Sequence, residues 1–182
     1  MNKKLTTAAL QRPEVEEFRN QEKYPIRVLL DDIRSLSNVG SIFRTSDAFN
    51  VREVILCGIT GRPPHREIQR TALGATESVD WRYEQSAIEV VRGLRKEGVL
   101  VVALEQCEET IAPQDLEFVS GQEICLIVGN EVNGVQQDLV DISDVVMEIP
   151  QLGTKHSLNV TVAAGIALWE VFKRIRKSRG EE

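Results

Sequence analysis

Leu126-Ile127-Val128-Gly129-Asn130-Glu131-Val132-Asn133-Gly134-Val135 is an apolar run that breaks into a glycine-bracketed turn holding one carboxylate. Apolar character without alternation suits a strand buried on both faces, the condition of a parallel sheet with helices on either side. Ligands of such sheets bind outside the carboxyl ends of the strands, so the turn is a candidate site by position alone. Gly129 and Gly134 have the spacing of a phosphate-binding loop. Val135 and Gln136 stand where that loop requires Lys and Ser or Thr, which counts against a nucleoside triphosphate. Glu131 keeps two readings: a carboxylate that orients an arginine or a hydroxyl, or an acid favoured ahead of the next helix.

The rest of the chain repeats the strand-helix alternation. Strands are expected over 26–31, 53–57, 78–83, 100–104, 124–128 and 145–149. Helices are expected over 37–49 with Ser37 or Asn38 as N-cap, 67–73, 86–97 closed by Gly98, 136–142 and 158–177. Residues 1–24 read as a polar, helical or loose arm. This order implies an α/β fold, a mostly parallel sheet flanked by helices. The loops after Leu30, Leu104, Val128 and Ile149 are the ones to inspect. Asp31-Asp32-Ile33-Arg34 follows the first strand in place of a G-x-G-x-x-G turn, which argues against a dinucleotide enzyme.

Composition agrees with one domain. The 182 residues are 42% hydrophobic and 27% charged, ordinary values for a globular chain. The longest apolar runs fall far short of the ~20 residues of a membrane span, and the first ten residues lack the apolar core of a secretory signal. A cytoplasmic protein is expected. The three cysteines Cys57, Cys107 and Cys125 form no C-x-x-C pair and read as reduced, mostly buried thiols. His65 and His156 have no metal-ligand spacing, so no metal site is expected. A net charge of −6 argues weakly against a nucleic-acid partner. Its distribution is uneven. Arg62, His65, Arg66 and Arg70 cluster, as do Lys173, Arg174, Arg176, Lys177 and Arg179. The second cluster is also what a solvated helix end looks like.

Two further constellations carry chemistry. In residues 37–49, Val39, Ile42, Phe43, Ser46 and Phe49 make an inward helical stripe and Arg44 projects away, with Gly40 and Ala48 one turn to either side. Small neighbours leave room for a phosphate or a partner subunit; a solvated surface arginine is the alternative. In residues 149–167, a strand ends at Pro150, a polar loop holds Gly153, and Ser157 is placed to cap a helix that carries Asn159 in its first turn. Ala163, Ala164, Gly165 and Ala167 imply close packing against another backbone, within the chain or across a symmetric dimer.

Taken in order, these segments resemble the three signature motifs of the SpoU (TrmH-like) RNA methyltransferases of the SPOUT superfamily. Asn38-Val39-Gly40 with Arg44 and Ala48-Phe49 is similar to the first. Gly129-Asn130-Glu131 with Gly134 is similar to the second, and Ile149-Pro150 with Gly153 and Ser157-Leu158-Asn159-Val160 to the third. Thr71-Ala72-Leu73-Gly74-Ala75 resembles an intervening family segment. The similarity runs from about residue 26 to 173. Two positions depart from the pattern: Val135 follows Gly134, and Asn50 stands where glycine is common. Asn tolerates a left-handed backbone.

The resemblance implies a C-terminal trefoil knot, which no general topology rule would suggest, and a homodimer. It implies S-adenosylmethionine (SAM) as cofactor, held by Leu104, Glu105, Val128, Gly129, Asn130, Ile149 and Leu158. It implies transfer of a methyl group to a ribose 2′-hydroxyl of RNA, with tRNA favoured over rRNA. Asn38, Arg44, Glu131, Ser157 and Asn159 take the catalytic positions. A homologue that binds SAM or RNA without catalysis is the alternative. The chain would then divide into an arm (1–25), a methyltransferase domain (26–177) and a tail (178–182), and substrate selection would fall to the domain, the arm and the tail.

Overall fold

The computed structural model describes residues 2–6 and 8–181. Six strands, β1 (Tyr24–Asp31), β2 (Val51–Cys57), β3 (Trp81–Glu84), β4 (Leu100–Leu104), β5 (Ile124–Val128) and β6 (Val145–Met147), form one sheet in the order β3-β2-β1-β5-β4-β6. Every adjacent pair is parallel. The chain winds outward through β1, β2 and β3, crosses to β4, and fills the gap with β5. The strand order therefore reverses between β1 and β5, where open sheets place ligands.

Alternation along the strands feeds two cores. Val28, Leu30, Leu126 and Val128 pack on α2 (Leu36–Ala48), α3 (Arg66–Ala72), α4 (Ala75–Ser78) and α7 (Val160–Ser178). Leu29, Cys125 and Ile127 face α5 (Ala87–Lys96) and α6 (Gln137–Ile142) on the other side. The β4–β5 connection runs over the α7 side: Leu116 is fully buried there, and Arg174 of α7 donates to the Gln114 carbonyl. In the arm, α1 (Val15–Asn20) buries no residue and is tied by the Arg19–Asp80 ion pair at 3.3 Å.

The expected mostly parallel sheet is present, and β4 and β5 have the expected bounds. Several edges moved, each for a local reason. Ser35, not Ser37 or Asn38, caps α2, because its Oγ accepts the Asn38 N–H at 3.3 Å. Residues 75–78, partly read as strand, form α4, entered through the left-handed pair Leu73 and Gly74, and β3 starts at Trp81. β6 stops at Met147 rather than 149. α7 starts at Val160 with Asn159 as its cap: the Oδ1 accepts Thr161 N–H at 2.8 Å, a role expected of Ser157. Asn50 does take the left-handed turn, at φ 48°.

Gly40 corrects the reading of the small residues around Arg44. A Cβ built there would lie 2.3 Å from the Ile68 carbonyl oxygen and 2.1 Å from Thr71 Oγ1. The close approach is α3 lying on α2 within the chain. Thr71 Oγ1 completes it by donating to the Ser37 carbonyl at 3.0 Å. Ala164 and Ala167 are likewise buried in the internal core, whereas Gly165 only touches Thr45 Cγ2 at 4.0 Å.

Candidate functional site

The loops after β4, β5 and β6 and the first turn of α7 enclose a cavity of about 520 Å³, within the usual range of small-molecule sites. All seven residues expected to hold a cofactor line it: Leu104, Glu105, Val128, Gly129, Asn130, Ile149 and Leu158. Glu131, Ser157 and Asn159 join them. Asn38 and Arg44 do not. The loop after Leu30, expected among the wall elements, contributes indirectly, by hydrogen bonds to the turn after β5.

That turn is rigid by construction. Asn130 and Gly134 exchange backbone hydrogen bonds of 2.9 Å in both directions. Asn130 Oδ1 accepts the N–H groups of Val132 (2.9 Å) and Asn133 (3.2 Å), while its Nδ2 donates to the Asp32 carbonyl at 2.7 Å. Gly129 is packed so tightly that a Cβ would sit 2.1 Å from Gly134 C and Val135 N. Gly134 takes φ 69°, a conformation that glycine adopts without penalty.

Carboxylates staple the loops together. Glu131 Oε2 accepts the Arg34 N–H, and its Oε1 accepts both the Ser35 N–H and Asn38 Nδ2, all at 2.9 Å. Partial burial works to raise the Glu131 pKa, but the hydrogen bonds from Arg34, Ser35 and Asn38 outweigh it and hold it below the ordinary value. Glu105 Oε2 accepts the Val135 N–H and Oε1 the Gln106 N–H, each at 2.8 Å. Asp31, 1% exposed, accepts Gln136 N–H at 3.0 Å and Gln136 Nε2 at 2.6 Å; burial raises its pKa against those bonds. Glu131 thus spans the β1–α2 and β5–α6 loops. Its lone pairs are engaged by three donors, so it positions Asn38 rather than reacting itself.

Ser157 and Asn159 are exposed at the cavity mouth. Asn159 Oδ1 is committed to Thr161, through its N–H and its Oγ1 (2.6 Å). Arg44 is exposed on α2 and forms no ion pair or side-chain hydrogen bond among the described residues. In the same helix, Thr45 touches Gly165 of α7 and the Phe49 ring at its end lies 6.0 Å from that of Trp169, so α2 packs on the part of α7 that exposes Val162, Ile166 and Trp169.

Sequence reasoning missed Gln106, Met147, Glu148, Gln151, His156 and Val160 as wall residues. Gln106 Nε2 donates to the His156 carbonyl at 3.1 Å, tying the β4 loop to the loop before α7. No residue pattern signals these positions, because their role depends on which loops meet. The charged side chains on the wall are Glu105, Glu131 and Glu148, with His156 beside them and no Lys or Arg. Such a wall repels phosphate and suits a ligand with cationic and apolar parts. Among the described residues no group of three or more metal-ligating side chains is clustered, and no helix is long and apolar enough to cross a membrane.

Comparison with known proteins adds the family. Residues 25–169 match the family described as the SpoU rRNA methylase family. A 23S rRNA (guanosine-2′-O-)-methyltransferase of Coxiella burnetii, RlmB, is 29% identical over 85% of this chain, which spans 60% of that relative's length. A tRNA (guanosine(18)-2′-O)-methyltransferase of Thermus thermophilus is 28% identical, over 92% of this chain and 84% of its own. The AdoMet-bound rRNA methyltransferase of Sinorhizobium meliloti superposes with a TM-score of 0.78 at 29% identity, covering 87% of this chain and 60% of that one.

Proposed function

The chain belongs to the SpoU methylase family, and from that premise we propose that it transfers a methyl group from SAM to a ribose 2′-hydroxyl of RNA, with tRNA as the favoured substrate. The observation that carries this reading is the cavity. Its wall combines apolar side chains, backbone edges and three carboxylates without a basic group. SAM has an adenosine for the first two and a sulfonium and an amino group for the third. It carries no phosphate to be repelled.

Leu104, Val128, Ile149 and Leu158 offer the apolar surface, and Glu105, Gly129 and Asn130 fix the loops that shape it. Bound there, SAM supplies a methyl already activated by its sulfonium, so the protein's task is to place the acceptor hydroxyl. Glu131 holds Asn38 and the start of α2 against the cavity mouth, where Ser157 and Asn159 stand to meet the ribose. Arg44 clamps the neighbouring phosphate. A guanidinium has no acceptor and stays protonated, so the hydroxyl proton leaves to water or a phosphate oxygen.

Arg44 lies off the wall of its own cavity, on the helix that packs against α7, which exposes Val162, Ile166 and Trp169 along one face. These features support a homodimer in which that face is covered. The packing of α7 against the β4–β5 connection, through buried Leu116 and the Arg174–Gln114 contact, supports the trefoil knot. We retain the arm, domain and tail at 1–25, 26–177 and 178–182, and a cytoplasmic location, where the RNA is. The test is transfer of labelled methyl from SAM to bulk tRNA and rRNA, followed by alkaline hydrolysis. Label is expected in alkali-resistant dinucleotides from tRNA. In Arg44→Ala, transfer should fall on the order of a hundredfold or more with SAM affinity unchanged. Label in mononucleotides would mean base methylation, label confined to rRNA would move the substrate, and loss of SAM binding in Arg44→Ala would displace that residue from its role.

A further inference from the structure

Most of the arginines outside the site are spoken for. Arg27, Arg82 and Arg95 pair with Glu123, Glu53 and Asp144. In the basic tail, Arg176 and Arg179 pair with Glu181, and Arg179 also with Glu22. Arg34, Arg62, Arg66 and Arg70 are different. All four are exposed, and none has its guanidinium within 4.0 Å of a carboxylate among the described residues.

The fold brings the segments that carry these four exposed residues together. Arg34 precedes α2 by two residues. Gly61, next to Arg62, is so close to Leu36 that a Cβ would meet its Cδ2 at 2.2 Å. α3 lies on α2 through Gly40 and carries Arg66 and Arg70 one turn apart. The Arg62 guanidinium rests on the Tyr83 ring, 4.2 Å from its centroid, which fixes one face of the planar cation and leaves the group aimed outward.

Stability alone does not favour this arrangement. Arg66 occupies the first helical turn, where a positive charge opposes the helix dipole, and only Arg70, in the last turn, is favoured by it. Like charges four residues apart repel. Glu67, the one carboxylate on α3, pairs with neither. Four unpaired cations on an acidic protein, held together against repulsion, want an external anion. They run from α3 to the Arg34–Ser35 segment whose N–H groups Glu131 grips.

We propose that Arg34, Arg62, Arg66 and Arg70 form the track that holds the phosphate backbone of the RNA and leads it to the cavity mouth. This rests on the RNA-methylating reading above and adds the surface that captures the substrate. Guanidinium groups suit phosphate through paired N–H donors, and a stripe of four sets a footprint of several consecutive phosphates.

The experiment is binding of bulk tRNA to the full chain at several salt concentrations, with SAM binding, methyl transfer and thermal unfolding measured beside it. Arg66→Gln with Arg70→Gln is the test variant, since glutamine keeps the helix and removes the charge. Arg92→Gln with Lys96→Gln, on the opposite face of the sheet, makes the same change in net charge as a control. The expected result is RNA affinity at least tenfold weaker in the test variant, with the slope of log affinity against log salt reduced by about 1.4–1.8, roughly two phosphate contacts. SAM binding and the unfolding temperature stay unchanged, and the control behaves as wild type. Equal affinity and slope in wild type and test variant, an equal loss in the control, or no tRNA binding by wild type at low salt would each overturn the track. RNA binding through the track with no methyl transfer would leave it standing and overturn the catalytic reading. Transfer that survives with unweakened binding in the test variant would do the reverse.

Discussion

Replacing Glu131 with glutamine tests whether that carboxylate is a staple or a reacting group. In the structure it accepts three hydrogen bonds of 2.9 Å, from Arg34 N, Ser35 N and Asn38 Nδ2. Bonds to a charged acceptor contribute about 1.5–3 kcal/mol each when buried. Glu131 is exposed, and solvent screening reduces each to roughly 0.5–1 kcal/mol. Glutamine keeps one acceptor oxygen and turns an amide NH₂ toward a backbone N–H, so a loss of about 1–2 kcal/mol is expected, read as a fall in Tm of roughly 2–8 °C. The pH dependence is the sharper readout. The Glu131 pKa is held below its ordinary 4.5 in the folded chain, so its stabilisation is fully present above that value and is lost as pH falls through the folded pKa. Urea unfolding of wild type and Glu131→Gln from pH 7 down to about pH 3 should therefore show a gap that is constant at neutral pH and closes in acid. Other carboxylates titrate in both proteins and cancel from the difference. A gap that stays constant to the lowest pH, or no gap at pH 7, would refute the staple.

Three further outcomes follow from packing and burial. Gly40→Ala drives a methyl into the Ile68 carbonyl and Thr71 Oγ1, and should cost about 1–3 kcal/mol by urea unfolding as α3 is pushed off α2. Gly129→Ala meets backbone at 2.1 Å; a similar loss of stability should come with loss of SAM affinity by calorimetry, and wild-type affinity would show that the turn does not shape the cavity. Burial pushes the Cys57 and Cys125 thiols up to about 12, so at pH 8 a thiol reagent should label half-buried Cys107 first, with the other two reacting only on unfolding; three equal rates by mass spectrometry would contradict this.

The fold was legible wherever local pattern decides it. Leu100–Leu104 and Ile124–Val128 are apolar runs bounded by turn residues, and both strands fall where the run falls. Edges governed by a distant partner were not. Ser37 and Asn38 look like the cap until the loop after β5 is in place; then Glu131 takes the Ser35 N–H from a distance of 96 residues, and Ser35 caps the helix. Asn159 becomes the cap of α7 because its Oδ1 reaches Thr161, a choice between neighbouring polar residues that composition leaves open. Gly40 shows the same limit. Its smallness is visible in the sequence, but whether it makes room for a ligand, a partner or α3 depends on a contact 28 residues away, with Ile68. The segments expected to hold a cofactor meet at one cavity because a parallel sheet gathers its strand ends, whatever the loop residues are. Gln106 and His156 were missed because their contact exists only once two loops meet.

A net charge of −6 argues weakly against a nucleic-acid partner, but the sum describes no single surface of this structure. Glu53 and Glu123 are spent on Arg27 at the far end of the sheet. Asp31, Asp32, Glu105 and Glu131 accept backbone N–H groups at the strand ends. These carboxylates hold the loops around a cavity whose wall is acidic, while the arginines of α2, α3 and the turns before them face outward without carboxylate partners. A polyanion meeting this protein experiences the local surface over about a Debye length, ~8 Å at physiological salt, not the total. For the proposed function, the same separation would keep phosphate out of the cavity and draw it to the rim. The proposed methyl donor, with its positive sulfonium, and the proposed acceptor, with its phosphate backbone, would both be served by that division of charge.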